Sequence, residues 1–563
     1  MSQNTNFEFN KLTDSYFHHA SSASFQYKTV AKSFDQVAIQ HPNHVCYIFK
    51  DRGEDKRYTY AMLKQEIDCV AYSLIKLGFK KNDRIGIFLP NSSENIIFTY
   101  VASKIGLIRV HINPFAVRRE LTHALKITGC KGIVLPSNNT ALNTLQEAMS
   151  DLDHQSELKN VITLEHIILI GANSDTIKNA HTYDSLIKEA HMNTTEQQAI
   201  LDERQLSIDP SLPLSILLTS GTTGESKAAV LTNFSVINII ASNWYHFGSI
   251  CERSCAPLSM FHVSASIWLA MLPSFRKGTI IVPALIANTE ATMRAIDEEK
   301  CTFFMSNPTL IRNIFSHPDR DRYNLGSIQY IALGSTTLQP QFLRELESKF
   351  GINRVGQLYG MTETGPLTDS FHCEDDRRHT SVGRCMPHVE IKIVDNDGRV
   401  VSIKCIGEIY ARSRFMMRNY YEDKEKTTET ITEDGWLRTG DMGMMDEDGY
   451  VFFIGRKKEL IIRGGTNIWP FQIEKTIEEH HSVAEAYVFS ISDLVEDENL
   501  CTSVKLKPGA QCEVNELKSF LADKLSSYKI PTHIHFVEEF NRTSIGKVSK
   551  PKLAEELTKI LRK

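Results

Sequence analysis

From Thr59 onward, apolar positions recur at helix and strand spacing in turn. Leu63, Ile67, Val70, Ala71 and Leu74 fall on one helical face, and Gly78 stands where a C-terminal cap belongs. Arg84 to Leu89 reads as a strand. Asn91, Ser92 and Ser93 offer N-caps for a helix that ends near Gly106, and Leu107 to Ile112 reads as the next strand. A helix around Glu120 to Ile127 leads to the strand Gly132-Ile133-Val134-Leu135. Strand and helix alternate at crossover spacing, which predicts a parallel sheet covered by helices. Residues 150–212 are polar and show no clear period, and Leu214 to Leu218 is a short apolar run typical of a buried strand.

The pattern restarts near Arg456. A turn at Asp446-Glu447-Asp448-Gly449 precedes an apolar strand from Tyr450 to Ile454. A helix near Phe471 to His480, strands near Ala484 to Ile491 and Cys501 to Leu506, and a helix near Val514 to Leu525 follow. The expected architecture is α/β. A polar, loosely held leader (1–27) precedes a large N-terminal domain of mixed and parallel sheets flanked by helices (28–455). A small, mobile α+β C-terminal domain (456–563) completes the chain.

With 563 residues, the chain exceeds what one core usually fills. Its 42% apolar and 23% charged residues fit a globular protein. The net charge of −5 and the lack of a basic tract argue against nucleic acid as a partner. Eleven cysteines are scattered without a C-x-x-C pair; Cys251 and Cys255 lie closest, with no matching His/Cys pair at zinc spacing. Reduced thiols are expected. With no basic n-region, no apolar h-region and no run near the length that spans a bilayer, a soluble cytoplasmic protein is the default expectation.

Candidate chemistry begins after the Leu214–Leu218 run, in Thr219-Ser220-Gly221-Thr222-Thr223-Gly224-Glu225-Ser226-Lys227. Glycines let backbone N–H groups approach a phosphate, hydroxyls add donors, and the lysine adds a point charge. The G-x-x-x-x-G-K-[ST] spacing is absent, so this is not a Walker loop. Read alone, a phosphate grip and a Ser/Thr/Gly surface turn both remain open.

Downstream lie Tyr359-Gly360-Met361-Thr362-Glu363-Thr364, Thr439-Gly440-Asp441, Gly455-Arg456-Lys457-Lys458-Glu459 and Gly546-Lys547. In that order and at those separations the motifs resemble the adenylate-forming superfamily of acyl-CoA synthetases, peptide-synthetase adenylation domains and luciferases. The resemblance runs from near Thr29 to near Leu553. Arg377-Arg378, Gly383-Arg384 and Arg463-Gly464-Gly465-Thr466-Asn467 look most like the carnitine/crotonobetaine-CoA and medium-to-long-chain acyl-CoA ligases.

The resemblance implies a ligase that takes a carboxylic acid, ATP with Mg²⁺, and coenzyme A. It assigns the β- and γ-phosphates to Thr219–Lys227, with Ser226 and Ala228 standing where proline and glycine are usual. Gly334, Ser335 and Thr336 would lie near adenine, with Tyr359 and Gly360 against it; Ser335 and Thr336 replace the usual Gly-Ala. Glu363, beside Thr362, would help hold Mg²⁺, whose preference for oxygen ligands suits a carboxylate. Asp441, assisted by Arg456, would accept from the ribose hydroxyls, and Lys547 would contact the carboxylate and the transferred phosphate. Asn541 stands where a proline usually opens that last motif. His262, in Phe261-His262-Val263, would lie beside the acyl carboxylate. Lys458 would be the hinge of a domain rotation, and Gly464 and Gly465 would line a pantetheine channel. The acyl pocket is expected among Asn238–His246, Phe261–Ser266 and Leu333–Thr337, where Trp244, Tyr245 and Phe261 suit either a quaternary ammonium group or ordinary packing.

Other readings are an enzyme that loads a carrier protein, a luciferase-like oxygenase, and a catalytically silent nucleotide-binding regulator. No carrier domain is evident, and intact Glu363, Asp441 and Lys547 argue against the last. A homodimer is kept open.

Overall fold

The computed structural model describes residues 11–51, 54–154, 164–171, 179–190, 194–219, 226–334, 340–350, 354–463, 466–492, 498–542 and 547–561. Two mixed sheets frame the large N-terminal domain. The first runs, in spatial order, Asn419–Tyr420, Lys227–Thr232, Pro213–Thr219, Ile108–His111, Arg84–Ile87, Gly132–Pro136, His166–Ile170 and Ala180–Thr182. From Pro213–Thr219 to Ala180–Thr182 all neighbours are parallel, while Lys227–Thr232 folds back antiparallel. The second runs Arg384–Cys385, Gly365–Asp369, Arg354–Met361, Tyr330–Leu333, Phe303–Ser306, Arg253–Cys255, Thr279–Val282, Val45–Asp51 and Glu54–Thr59. Its middle is parallel from Arg354–Met361 to Val45–Asp51.

The expected alternation is present as the helices Tyr60–Lys76, Ser93–Ile105 and Arg118–Thr128 between short buried strands. Gly78 and Gly106 end the first two at φ of +87° and +75°, values that favour glycine. The helix Ser93–Ile105 is buried along nearly its whole circumference, as befits a helix inside the domain. One core joins Ile85 and Leu214 of the first sheet, Tyr47 and Phe303 of the second, and Ile391 and Leu437 of a third. The stretch 150–212 contributes the strand His166–Ile170, the edge strand Ala180–Thr182 and the helices Tyr183–Ala190 and Thr195–Leu206.

The third sheet is antiparallel: Tyr16–His18, Glu390–Val394, Gly407–Arg412, Leu437–Met445 and Val451–Arg456. Its first strand corrects the expectation of a loose leader. Tyr16 to His18 pair with Glu390 to Lys392, and the chain then crosses the helix Asn233–Phe247. There the Gln26 N–H donates to Asn238 Oδ1 at 2.8 Å, and Asn238 Nδ2 donates back to the Gln26 carbonyl at 3.0 Å. Asn238 therefore holds the N-terminal segment.

The smaller C-terminal domain has a hairpin, Ile461–Arg463 with Thr466–Ile468, and a three-stranded sheet of Val483–Ser492, Glu498–Leu506 and His533–Val537. The helices Pro470–Glu478 and Val514–Ala522 cover a core of Ile473, Ile477, Val488, Leu500, Val504, Leu517 and Leu521. Among the described residues no helix is long and apolar enough to cross a membrane.

Candidate active site

Strand ends from all three large-domain sheets converge on one place. Thr219 and Lys227 face each other in register at the open end of an antiparallel pair. The Thr219 hydroxyl donates to the Lys227 carbonyl at 3.4 Å, which closes the base of the loop between them. Ser220, Gly221, Thr222, Thr223 and Gly224 lie outside the described residues, as do Ser335, Thr336, Gly464, Gly465 and Gly546. Gly334 follows the C-terminal end of Tyr330–Leu333, where open α/β sheets bind ligands.

Tyr359 to Glu363 leave the neighbouring strand, Arg354–Met361, and turn back into Gly365–Asp369. Gly360 is required in that hairpin. A Cβ there would stand 2.3 Å from the Gly365 carbonyl oxygen, which backbone cannot vacate. The turn leaves Glu363 6% exposed, and Tyr420 donates to its Oε1 at 2.8 Å. Lys227 lies over the Tyr420 ring, its Nζ 4.9 Å from the centroid. Burial pushes the Glu363 carboxyl up, against the Tyr420 hydrogen bond and the charges of Lys227 and Arg456.

Asp441 and Arg456 sit opposite each other across the strands Leu437–Met445 and Val451–Arg456. Arg456 Nε is 3.6 Å from Asp441 Oδ1, and the Tyr359 hydroxyl donates to Asp441 Oδ2 at 2.8 Å. Gly440 precedes Asp441 at φ +71°, and the Thr439 hydroxyl accepts the Asp441 N–H at 3.1 Å. Asp441 is 8% exposed, and burial raises its pKa, opposed first by Arg456.

The small domain completes the group. Lys547 lies in the field of Arg456, Asp441, Glu459 and Glu363. Burial, then the Arg456 charge, lowers its pKa to about 8. His262 lies close enough to feel Lys547. Burial first, then that ammonium, lowers its pKa to about 4, so the imidazole is neutral at pH 7. Its Nδ1 is 3.0 Å from the Ser264 hydroxyl. The chain then makes a single π-helical stretch, Ser264–Leu269, a form that clusters at functional sites.

Lys458 occupies the middle of a 3₁₀ turn, Lys457–Glu459, directly after Arg456. Burial lowers its pKa, with Arg456 the next cause. Trp244 and Tyr245 do not join the group. Trp244 lines a cavity of about 150 Å³ with His41, Glu252, Phe275, Arg276 and Lys277. Tyr245 is 41% exposed and packs edge-on against Phe275. Tyr420 was missed in the sequence, since it meets Glu363 from 57 residues away; Glu459 lies in the Gly455–Glu459 motif, but nothing local assigned it a role.

The arrangement pairs a buried carboxylate suited to a diol with cations suited to phosphate and carboxylate oxygens. The profile of the AMP-binding enzyme family matches residues 34–421, and that of the AMP-binding enzyme C-terminal domain matches residues 472–547. This chain belongs to the AMP-binding enzyme family. The "Medium-chain acyl-CoA ligase ACSF2, mitochondrial" of Danio rerio is 30% identical over 562 residues, covering 98% of this chain and 92% of that one. The "Putative acyl-CoA synthetase YngI" of Bacillus subtilis (strain 168) is 30% identical over 549 residues, covering 95% and 98%. Among solved structures, the anthranilate CoA ligase AuaEII in complex with anthranoyl-AMP superposes with a TM-score of 0.82 at 20% identity, covering 95% of this chain and 98% of that one. ATP-bound MatB from Rhodopseudomonas palustris gives 0.81 at 22%, covering 94% and 99%. Family and fold agree with the motif resemblance.

Proposed function

We propose that this protein is an AMP-forming acid–thiol ligase acting on a fatty acid of medium chain length. A carboxylate oxygen attacks the α-phosphorus of ATP, the bond to pyrophosphate breaks, and an acyl-adenylate forms. The thiol of coenzyme A then attacks the acyl carbon, its proton is lost, and AMP leaves with the original carboxylate oxygen. The observation that carries the reading is Lys547 of the small domain set against Asp441, Glu459, Glu363 and Arg456. The relatives named as acyl-CoA ligases, matched along nearly their full length, support the acid and the thiol.

Each group has a role. Lys547 neutralises charge where two anions must meet, a cost that water would otherwise leave in place. Asp441 accepts from the ribose hydroxyls, with Tyr359 and Arg456 fixing its carboxylate. Neutral His262 lies beside the acyl carboxylate without adding a second cation. Thr219 to Lys227 receive the β- and γ-phosphates, and Gly334 with Tyr359 flanks adenine. Glu363 fits a Mg²⁺ carried in with ATP: it is a buried oxygen donor whose ionised form a cation would stabilise. That ion would supply neutralisation of phosphate charge. Domain boundaries at 455/456, a hinge at Lys458 and a pantetheine channel at Gly464 and Gly465 complete the proposal. All eleven cysteines are free thiols, which supports a reducing compartment such as the cytoplasm.

The test is pyrophosphate release over a panel of carboxylic acids from C2 to C18, with and without CoA. Release that requires an acid and is followed by CoA consumption is expected, peaking at medium chains. Acid-dependent release without CoA consumption would point to a carrier-protein acceptor.

A further inference from the structure

The small domain can reach the large domain's site in this arrangement only if something holds it there. Away from the hinge, an ion pair bridges the two domains. Arg312 Nη1, on the large-domain helix Pro308–Phe315, is 3.7 Å from Glu485 Oε2 on the small-domain strand Val483–Ser492. Glu485 is 7% exposed, so the pair is poorly screened by solvent. The Arg312 guanidinium also rests 5.8 Å from the centroid of the Phe342 ring, a large-domain side chain that orients it.

The same Glu485 oxygen has two partners within its own domain. Arg542 Nη2 contacts it at 2.5 Å, and the Tyr487 hydroxyl donates to it at 3.3 Å. Arg542 in turn is bridged antiparallel to Val548, one residue beyond Lys547. Arg312, Glu485 and Arg542 thus run in a line from the large domain to the Arg542–Val548 bridge beside Lys547. Beyond that bridge, Lys550 is held at 2.9 Å by Glu459 and at 2.8 Å by Glu474, both small-domain carboxylates. Glu478 lies in the same field as Glu474, Glu485 and Arg312. Arg312 is thus a large-domain cation set against Glu485, with Glu478 also in its field.

We propose that Arg312, acting through Glu485 and Arg542, is the latch that holds the small domain where Lys547 enters the site. This rests on the two-step ligase reading above. Turning the small domain away must break the Arg312–Glu485 pair, whereas Glu485 keeps Arg542 and Tyr487 in every arrangement. Removing Arg312 therefore leaves Glu485 paired with Arg542 and Tyr487, takes one cation from the field of Glu478, and touches neither domain core. It lowers only the population of the docked state, as any loss of differential contact does. Arg312 is a positioning residue: it touches no substrate.

The test separates the half-reactions in full-length Arg312→Gln. Carboxylate-dependent pyrophosphate exchange should fall about tenfold, while CoA consumption from supplied acyl-adenylate stays at the parent rate or rises. Arg312→Lys, which keeps the charge, should stay within threefold of the parent in both. Equal losses in both steps, or no change in either, would overturn the latch. A second readout needs no turnover. Spin labels at Asp321→Cys and Glu539→Cys, on exposed sites of the two domains, report their separation in a Cys405→Ser, Cys512→Ser background. Adding Arg312→Gln should create a second, distinct distance, and an unchanged distribution would overturn the proposal. If the parent exchanged pyrophosphate with no acid, the ligase reading would fail, and the label distances would still decide the latch.

Discussion

In the proposed mechanism, Lys547 is the residue on which the first chemical step turns. An ammonium with a pKa near 8 is charged below that pH and loses its charge as pH rises through it. For adenylation, kcat/KM should therefore fall about tenfold per pH unit above 8, since this ratio reports the free enzyme. Bound phosphates favour the ammonium, so the limb in kcat should lie at higher pH. Lys547→Ala should lose adenylation by about 10³-fold, on the scale of a removed charge-stabilising donor, yet keep thioester formation from supplied acyl-adenylate. Paired half-reaction assays check both, and equal loss in the two steps would contradict the role. At Asp441, Tyr359→Phe removes a hydrogen bond to a buried carboxylate, worth about 1.5–3 kcal/mol. ATP affinity should fall roughly 10- to 100-fold by calorimetry. Lys547, Asp441 and Glu363 were legible because short motifs mark them. Tyr420, Arg312 and the role of Glu459 were not, because each matters through a partner distant in sequence: Arg312 and Glu485 are ordinary charges until the fold apposes them.

Elements carry these residues to one place, and their backbone conformation is as necessary as their side chains. The hairpin from Tyr359 to Gly365 is the tightest case. In Gly360→Ala the new methyl collides with the Gly365 carbonyl, and a clash that neither backbone can relieve costs about 3 kcal/mol. Urea unfolding of the large domain should shift by that amount, and Glu363 should be displaced from Tyr420, with loss of adenylation. Parent-like stability would show that the turn can open without harm. The alternating strands and helices of 60–136 could be read from apolar spacing because they are buried on one or both faces. The strand Tyr16–His18 could not: three residues on a sheet edge, two of them exposed, leave no period to detect. The edge strand Ala180–Thr182 and the helices of 150–212 were hard to read for a similar reason, since a three-residue edge strand and surface helices carry few apolar positions.

At the scale of the whole molecule, the proposed mechanism has one lysine enter for the first step and leave for the second, so that the small domain turns. The turn Lys457–Glu459 is 3₁₀, and its second residue, Lys458, has a φ region that proline shares. Lys458→Pro should therefore tolerate the arrangement seen here and resist a change of dihedral at the hinge. Pyrophosphate exchange should stay within a few-fold of the parent, while thioester formation falls on the order of 100-fold, by analogy with other lost conformational steps. Parent rates in both steps would move the pivot elsewhere. The two-domain plan was visible in the sequence as a restart of the apolar pattern near Arg456. How the domains dock was not, because its contacts, such as Arg312 with Glu485 and the Phe453 ring against Phe471, carry no periodicity.

The central claim is that the acid is activated by adenylation, and oxygen labelling tests it most directly. Incubating a carboxylate carrying ¹⁸O in both positions with ATP, CoA and the enzyme should give AMP with one ¹⁸O on its phosphate, the thioester retaining the other. Pyrophosphate should carry none. Formation of ADP, or label in orthophosphate or pyrophosphate, would mean that the acid attacks a different phosphorus and would contradict the account.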